Sequence, residues 1–332
     1  MAKERSGPVP VVVMGLGIIG QQIARAAHAS EELKLVGAVD SNPRLAGKKL
    51  SDVAQVSVAF KISSTLEHAI GKHQGVVLLH ATGSVLDQVA EQLLAAVKLR
   101  LCVVSTCEEL AFPWLRHSAL AEKLDKAAQR AGVSIVGTGV NPGFVLDRLI
   151  ATVGHVCGPV RHVHATRVVD ARTRREALQR KVGAGMTEDE FHALADKEQI
   201  GHVGLLESCA LTALGLGMDC DDFEEELGPV VAEEDIPGGA LLVKKGKVAG
   251  IHQTAIGLEE GQERVRLELT IAMGAEPAED RIVVQGDIRV ELVIPGGVPG
   301  DAATANLVVN AAPRIGSAEP GLLTVLELPA GR

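Results

Sequence analysis

Three glycines stand at a spacing that suits the binding of a phosphate group. In the segment VVVMGLGIIG, Gly15, Gly17 and Gly20 follow an apolar run that begins at Val9. Glycine permits a tight turn at the first position, close approach of the backbone to a phosphate at the second, and close helix packing at the third. Asp40 stands twenty residues after Gly20, the separation at which a carboxylate meets the adenine ribose of a dinucleotide. These spacings predict an NAD(P)-binding site.

The choice between NAD and NADP stays open from the sequence. Asp40 favours NAD, because its carboxylate accepts hydrogen bonds from the ribose hydroxyls. Arg44, Lys48 and Lys49 follow it, and a cation there would neutralise the 2′-phosphate of NADP. The residues predicted to bind the cofactor at these two strand ends are Gly15, Gly17, Ile18, Ile19, Gly20, Asp40, Ser41 and Arg44.

Two adjacent carboxylates in the segment STCEEL, Glu108 and Glu109, are candidates for acid–base chemistry. They follow the apolar run 101–104, which is predicted to be a buried strand. Ligands of parallel sheets bind beyond the carboxyl ends of the strands, so this pair is expected at the crevice. The alternative interpretation of Glu108 is a carboxylate that stabilises the start of a helix.

These residues are positioned by alternating strands and helices, the pattern of an α/β domain with a doubly wound parallel sheet of the Rossmann type. Strands are predicted at 9–14, 35–39, 75–79, 101–104 and 133–136, and helices at 17–29, from Ser84 onwards, at 118–131 and after GTGVNPGFVLD. The loops after Gly15, Asp40, His80, Ser105 and Gly137 are therefore expected to share one crevice.

Beyond about residue 156 the pattern changes to amphipathic strands. Charged residues at 264, 266 and 268 alternate with apolar residues at 265, 267 and 269, which predicts an α+β domain with a mostly antiparallel open sheet. Helices are predicted at 174–182, at 188–196 behind a capping box of Thr187 and Glu190, and at 203–218, while the acidic stretch 219–235 is predicted to be a solvated loop.

The predicted domains are an NAD(P)-binding domain at 1–148 and a substrate-binding and dimerisation domain at 149–299. The C-terminal segment, roughly residues 300–332, is expected to pack back on the first domain. Helices cover only one face of the second sheet, so we expect the other face to form a homodimer.

Composition excludes several classes of protein. The 332 residues are 46% hydrophobic and 23% charged, enough for two well-packed domains. The net charge of −9 disfavours nucleic acid and anionic membranes as partners, and no apolar run approaches the length of a membrane span.

Five cysteines without a C-x-x-C pair predict a reducing cytoplasm. His162 and His164 share a strand face but lack further ligands at useful spacing, so no metal is expected.

Motifs along nearly the whole chain resemble the 2,4-diaminopentanoate dehydrogenases and the related native amine dehydrogenases. They are GLGIIG, HATGS, STCEEL, GTGVNPGFVLD, VVDARTRR, GHVGLLES and NAAPRIGSAEPGLLTVLELP. The architecture of these families is similar to that of dihydrodipicolinate reductases, but the His-His segment, lysine and PSGTA-like turn of those reductases are absent. The resemblance implies NAD(P)-dependent oxidative deamination of a primary amine, or in reverse reductive amination of a ketone or aldehyde with ammonia.

The resemblance also implies residue roles. Glu108 corresponds to the catalytic residue that faces the nicotinamide, where a carboxylate stabilises developing positive charge and moves protons. Asn141 is expected to bind the carboxamide; without the resemblance it reads as a turn residue. The residues expected at the nicotinamide ribose or diphosphate are Ala81, Thr82, Gly83 and Ser84, with an ordinary helix cap as the alternative.

The substrate pocket is predicted to be aliphatic, because the chain has no Tyr and one Trp. Its expected lining residues are Val140, Phe144, Val145, Val168 and His252, the last of them from the resemblance. The cluster Arg167, Asp170, Arg172, Arg174 and Arg175 either binds the carboxylate of an amino acid such as 2,4-diaminopentanoate or forms a structural ion-pair network. The aliphatic wall favours simple amines.

Two other functions stay open from the sequence. A non-catalytic NAD(P)-binding sensor would keep the glycine turn without needing a carboxylate beside the nicotinamide. An alcohol- or aldehyde-oxidising relative would turn over without ammonia.

Overall fold

The computed structural model describes residues 7–174, 176–238, 241–329 and 331. The chain divides into two compact units. The first unit contains the chain up to Phe144 together with the chain from Pro299 onwards, and the second runs from Val145 to Val298. Among the residues described, no helix has both the length and the apolar character needed to cross a bilayer.

Strands and helices alternate in the first unit, as predicted. Its strands up to residue 137 are β1 (Val9–Met14), β2 (Leu33–Val39), β3 (Val77–His80), β4 (Cys102–Ser105) and β5 (Ser134–Gly137). Its helices in that stretch are α1 (Ile18–Ala29), α2 (Leu50–Ala54), α3 (Leu66–Ile70), α4 (Leu86–Lys98) and α5 (Ser118–Ala131), with a 3₁₀ turn at Glu109–Ala111. Val12, Val103 and Ile135 are fully buried, which is typical of strands covered by helices on both faces.

The second unit is built around one large sheet. Its helices are α6 (Arg148–Gly154), α7 (Glu176–Lys181), α8 (Glu188–Ala195) and α9 (Leu205–Leu216). Its strands are β6 (His162–Asp170), β7 (Asp222–Val231), β8 (Ile236–Gly238), β9 (Leu241–Val243), β10 (Val248–Glu259), β11 (Gln262–Ala272), β12 (Glu279–Gln285) and β13 (Arg289–Pro295). The six long strands lie in the order β13-β12-β6-β11-β10-β7, and all neighbours are antiparallel except β6 and β11.

The two faces of this sheet differ, as the alternation predicted. Along β11, Val265 and Leu267 are buried, while Arg266 between them is half-buried on the opposite face. Helix α9 packs on the apolar face, because a Cβ atom built on Gly257, which pairs with Val265, would lie 3.3 Å from the Sγ atom of Cys209. We call the opposite, charged side the outer face.

The C-terminal segment joins the first sheet. Helix α10 (Gly300–Ile315) and strand β14 (Gly321–Leu323) complete this unit, and β14 pairs in parallel with β5. The sheet is wholly parallel in the order β14-β5-β4-β3-β1-β2, so the strand order reverses between β1 and β3. The predicted packing of the C-terminal segment against the first sheet is therefore confirmed.

The acidic stretch 219–235 is not the loop that the sequence suggested. Residues Asp222–Val231 form β7, an edge strand paired along its length with β10. Glu224, Glu225 and Glu226 remain exposed on it. Charged side chains are common on edge strands, because they discourage pairing with another chain. The acidic composition therefore marked a sheet edge.

The helix predicted at 174–182 is shorter than expected. Helix α7 begins at Glu176, Arg174 ends the preceding 3₁₀ turn, and Arg175 lies outside the described residues. The capping box of α8 is confirmed, because the Glu190 N–H donates to the Thr187 Oγ1 atom at 3.1 Å and the Thr187 N–H donates to the Glu190 Oε2 atom at 2.8 Å.

Candidate functional site

The glycine turn after β1 lies where the strand order of the first sheet reverses. Gly15 has a φ of +86°, and a Cβ atom on it would lie 2.5 Å from the Ala81 carbonyl oxygen. A Cβ atom on Gly20 would lie 1.7 Å from the Gly15 carbonyl oxygen. Both glycines are therefore required by the packing of β1, β3 and α1, which agrees with the roles predicted for them.

Gly17 has no such internal reason to be a glycine. It is the N-cap residue of α1, no side chain caps this helix, and a Cβ atom on Gly17 would meet nothing within 4 Å. Helix N-termini bind phosphates through backbone N–H groups that have no partner within the helix. The binding of a diphosphate in the open space at Gly17 remains a prediction. Beside it, Ile18 is 46% exposed and Ile19 is half-buried.

Asp40, at the end of β2, is held by the backbone on two sides. Its Oδ2 atom accepts from the Leu16 N–H at 2.7 Å, and its Oδ1 atom accepts from the Asn42 N–H at 2.8 Å. The carboxylate therefore joins the glycine turn to the loop after β2, at the position predicted for the ribose site. Ser41 and Arg44 are exposed in that loop.

The loop after β3 corrects one prediction. Residues Thr82, Gly83 and Ser84 do not open a helix, because α4 begins at Leu86 and its N-cap residue is Val85. The Leu86 N–H donates to a carboxylate from another loop, the Oε2 atom of Glu109, at 2.6 Å. A long-range acceptor replaces the predicted local cap.

The same loop lies at the sheet edge beside the glycine turn. The Ala81 N–H donates to the Met14 carbonyl oxygen at 2.8 Å, and Thr82 is exposed. The Ser84 carbonyl oxygen accepts from the Glu109 N–H at 3.3 Å and from the Cys107 thiol at 3.2 Å. Burial raises the pKa of the Cys107 thiol to about 12, so it stays a protonated donor.

The two carboxylates after β4 have different surroundings. Glu108 is half-buried, has helical backbone angles and is the N-cap residue of the 3₁₀ turn. The Glu109 Oε2 atom accepts from the Leu86 N–H and lies 3.0 Å from the His117 Nε2 atom. Glu109 thus has a structural task, and the catalytic role of Glu108 remains a prediction.

A buried histidine that sequence reasoning did not use connects these loops. His80, the last residue of β3, is fully buried; its Nδ1 atom lies 2.7 Å from the Ser105 Oγ atom, and its Nε2 atom lies 2.7 Å from the Thr82 Oγ1 atom. Burial lowers the pKa of His80 to about 4, opposed by a hydrogen bond to Gln92. The sequence signal that could have identified this histidine is its position: His80, the first residue of HATGS, directly follows an apolar run that is typical of a buried strand.

The carboxyl ends of β1 to β5 lie along one edge of the sheet, because all five strands are parallel neighbours. The glycine turn, Asp40, the 81–84 loop, Glu108 and the loop after β5 are thereby brought to one edge. Asn141 is buried in that last loop, and the neighbouring Val140 N–H donates to the Thr304 Oγ1 atom at 3.1 Å. Contact of these residues with a cofactor remains a prediction.

The predicted pocket residues are divided between the two units. Val140 and Phe144 belong to the first unit, and Val145, Val168 and His252 belong to the second. Val145 is fully buried and presents no surface to a ligand.

Val168 and His252 lie in one row across the outer face of the second sheet. Each pairs with Thr270 on β11 between them, and the His252 Nδ1 atom lies 3.0 Å from the Thr270 Oγ1 atom. Their role in substrate binding remains a prediction.

Two arginines of the predicted cluster are engaged in ion pairs. The Arg167 Nη1 atom lies 2.6 and 2.7 Å from the two Asp280 carboxylate oxygens, and both side chains are buried. Arg172 contacts Asp170 and Glu276, each at 2.8 Å. These contacts support the structural interpretation of the cluster.

The histidines considered as metal ligands also pair with carboxylates. The His162 Nε2 atom lies 3.1 Å from the Glu263 Oε1 atom, and the His164 Nε2 atom lies 2.6 Å from the Glu268 Oε2 atom. Within the described part of the chain, no group of three or more His, Cys, Asp or Glu side chains is arranged to hold a metal ion.

Comparison with protein families decides how the chain is classified. Residues 144–332, more than half of the chain, match the 2,4-diaminopentanoate dehydrogenase C-terminal domain. The chain belongs to the 2,4-diaminopentanoate dehydrogenase family. Residues 9–109 match the N-terminus of dihydrodipicolinate reductase, so the resemblance read from the motifs is confirmed.

Individual relatives cover almost the full length of the chain. It is 28% identical to a 2,4-diaminopentanoate dehydrogenase of Acetoanaerobium sticklandii over 98% of this chain and 94% of the relative. It is 22% identical to an amine dehydrogenase of Streptomyces virginiae over 97% of this chain and 96% of that protein.

The fold is shared with a solved amine dehydrogenase from Mycobacterium smegmatis. The TM-score is 0.84 at 20% identity, and the match covers 98% of both chains. The predicted α/β architecture, a Rossmann-type sheet followed by a mostly antiparallel one, is therefore confirmed.

Proposed function

We propose that this protein is an NAD(P)-dependent amine dehydrogenase, which deaminates a primary amine or, in reverse, aminates a ketone or aldehyde with ammonia. The observation that carries the proposal is the set of groups along one edge of the first sheet: the open space at Gly17, the fixed carboxylate of Asp40 and the half-buried Glu108. Family membership supports the reaction class, because the curated relatives are named as dehydrogenases of amines.

Each of these groups has a task in the reductive direction. The N-terminus of α1 at Gly17 binds the diphosphate, and Asp40 accepts from the adenine ribose. When bound, the nicotinamide supplies a hydride from C4. Glu108, when protonated, donates its proton to the hydroxyl of the carbinolamine formed from ketone and ammonia, and that hydroxyl leaves as water. As a carboxylate, Glu108 then stabilises the positive iminium that accepts the hydride.

We favour small aliphatic amines and ketones as substrates. Arg167 and Arg172 already pair with carboxylates of the second unit, which makes them poor partners for a substrate carboxylate. The second candidate substrate class is a diamino acid, favoured by the 28% identity to a 2,4-diaminopentanoate dehydrogenase.

The test follows the NAD(P)H absorbance band with cyclohexanone or a small aldehyde, with and without ammonium. Oxidation of the cofactor that requires ammonium supports the proposal. Equal oxidation without ammonium indicates an alcohol- or aldehyde-oxidising relative, and no oxidation with either cofactor favours the sensor. In the oxidative direction, a panel of simple aliphatic amines and 2,4-diaminopentanoate separates the two substrate classes.

We also propose that the protein is a homodimer formed through the outer face of the second sheet and that it works in the reducing cytoplasm. On the outer face, charged side chains pair with one another, for example Arg281 with Glu279 and Glu291. None of the five cysteines, all of which lie among the described residues, is in a disulfide, which supports a reducing compartment.

A further inference from the structure

We propose that His80 is a positioning residue, which fixes the distance between the loop predicted to bind the nicotinamide end of the cofactor and the loop that carries Glu108. This inference rests on the proposed function for the meaning of the two loops. The contacts of His80 lie wholly within the first unit. It is the one fully buried histidine among the described residues.

The hydrogen bonds around His80 form a continuous chain. The Cys107 N–H donates to the Ser105 Oγ atom at 3.1 Å, and that oxygen lies 2.7 Å from the His80 Nδ1 atom. On the other side, the His80 Nε2 atom lies 2.7 Å from the Thr82 Oγ1 atom, and the Thr82 hydroxyl donates to the Gln92 Oε1 atom at 2.6 Å. The chain therefore runs from the residue before Glu108 to the loop after β3.

One assignment of hydrogens satisfies every member of this chain. Ser105 accepts from Cys107 and donates to the Nδ1 atom, so the Nε2 atom of neutral His80 carries the proton. The Nε2 N–H is shared between the Thr82 Oγ1 atom at 2.7 Å and the Gln92 Oε1 atom at 3.0 Å, and the Thr82 hydroxyl donates to the same Gln92 oxygen. Protonation would turn the Nδ1 atom into a donor and displace the Ser105 hydrogen. Burial keeps the imidazole neutral, because it lowers the pKa of His80 to about 4.

A fixed distance at this place has a catalytic consequence. The proposed reaction needs the hydride donor, the substrate carbon and the Glu108 carboxylate at the correct distances and orientations. A displacement of about 1 Å in such an arrangement costs on the order of a hundredfold in rate. His80 touches none of the reacting groups. It acts by holding Cys107 on one side and Thr82 on the other.

Two substitutions of His80 test the two sides of its hydrogen-bond network separately. In His80→Asn, the side-chain oxygen takes the place of the Nδ1 atom and keeps the contact to Ser105, while the contact to Thr82 is lost. In His80→Gln, the longer amide reaches Thr82, while the contact to Ser105 is lost. Ser105→Ala also breaks the Ser105 side and serves as a second variant should His80→Gln not fold.

The control is Ser134→Ala. Ser134 is a buried serine on the neighbouring strand β5, and its hydroxyl donates to the Glu319 carbonyl oxygen at 3.0 Å. It lies at the amino end of that strand, away from the loops in question. Its substitution removes a comparable hydrogen bond and leaves the hydrogen bonds around His80 intact.

The readouts are the dissociation constant of NADH from fluorescence, kcat with ammonium and ketone saturating, the kinetic isotope effect with 4-deuterated NADH, and the melting temperature. We expect His80→Asn to weaken NADH binding by roughly tenfold, the loss of about one hydrogen bond's free energy. We expect His80→Gln and Ser105→Ala to bind NADH normally, to lose about ten- to a hundredfold in kcat and to show a larger isotope effect.

Three results decide the inference. A positioning role is supported if His80→Asn weakens NADH binding while His80→Gln and Ser105→Ala lower kcat without weakening NADH binding. Variants that lower only the melting temperature, as Ser134→Ala is expected to do, would overturn it. If the wild-type protein shows no ammonium-dependent turnover, the proposed function fails, while the NADH-binding result for His80→Asn still supports or overturns the coupling of His80 to the cofactor loop.

Discussion

At the scale of single residues, we expect the carboxylate of Asp40 to decide which cofactor binds more tightly. Its two oxygens are held by the N–H groups of Leu16 and Asn42, so it cannot turn away from a 2′-phosphate without losing both contacts. The Arg44 side chain is exposed in the same loop, and its backbone N–H donates to the Asn42 Oδ1 atom at 3.0 Å. A fixed negative charge beside the ribose repels a phosphate, so we expect NADH to bind more tightly than NADPH.

The variant Asp40→Asn keeps an acceptor for Leu16 and removes the charge. We expect the preference for NADH over NADPH to shrink by about tenfold, because repulsion of the 2′-phosphate is lost. Fluorescence titration with both cofactors measures the ratio. Asp52→Asn, an exposed carboxylate on α2, is the matched control. An unchanged ratio in Asp40→Asn would show that another group selects the cofactor.

The neutral state of His80 makes stability depend on pH. The folded-state pKa of His80 is lowered to about 4 from 6.5, so between these values the unfolded chain binds a proton that the folded chain does not. This contribution to stability is complete above pH 6.5 and is lost as the pH falls towards 4, by about 3 kcal/mol. Urea unfolding of wild type and His80→Gln at several pH values measures it. A difference between the two proteins that stays constant over this range would refute the assignment.

At the scale of elements, helix α4 is fixed by a residue from a different loop. Glu109 accepts from the Leu86 N–H in its first turn and also pairs with His117 ahead of α5. The start of α4 therefore depends on the position of the 3₁₀ turn that follows β4. Glu109 thus ties the loops after β3 and β4 together through the start of α4, and His80 ties them through Ser105 and Thr82.

We expect Glu109→Ala to lower the free energy of unfolding by about 1–2 kcal/mol, because the cap of α4 is lost. The control is Glu91→Ala on the same helix, where the side chain is 84% exposed and pairs with Lys123 at 3.6 Å. That exposed pair contributes at most about 1 kcal/mol. Chemical denaturation compares the two variants, and equal losses would contradict the role given to Glu109.

Local patterns predicted most elements but not their long-range contacts. The strand at Val9–Met14 and the helix at Ser118–Ala131 have the predicted bounds, because apolar periodicity and turn residues determine them locally. The cap of α4 was assigned wrongly to Ser84, since its real acceptor lies 23 residues away. The acidic strand β7 was missed, because only its pairing with β10 makes it a strand.

The candidate site was predictable to a similar extent. Glycine spacing and the position of Asp40 predicted two loops that the structure joins at the sheet edge through the Leu16–Asp40 hydrogen bond, and the resemblance singled out Glu108. The contacts of His80 with Ser105 and Thr82 join separate strands and loops, so no local pattern reveals them.

At the scale of the whole molecule, the outer face of the second sheet is the surface that we propose for dimerisation. Its side chains are largely half-buried and form ion pairs within the face, such as His164 with Glu268 and Arg266 with Glu263. A face whose charges are already paired can meet a second copy of itself without leaving isolated charges buried.

Light scattering at micromolar concentration is expected to give twice the mass of the chain. Substituting Thr166 on the outer face by Asp adds a carboxylate between Glu268 and Arg281. Because Arg281 already pairs with Glu279 and Glu291, the added charge is not balanced and is expected to shift the equilibrium towards monomer. Thr152→Asp, on the exposed side of α6, is the control and should leave the mass unchanged. A monomeric wild-type protein would refute dimerisation.

The central claim is that Glu108 performs the acid–base chemistry of amine formation. The most direct test is the single-turnover rate of NADH oxidation with ketone and ammonium saturating, compared between the wild-type protein, Glu108→Gln and Glu109→Gln. We predict that Glu108→Gln binds NADH as the wild type does and reacts about 10²- to 10⁴-fold more slowly, while Glu109→Gln keeps most of the rate. An undiminished rate in Glu108→Gln would contradict the account.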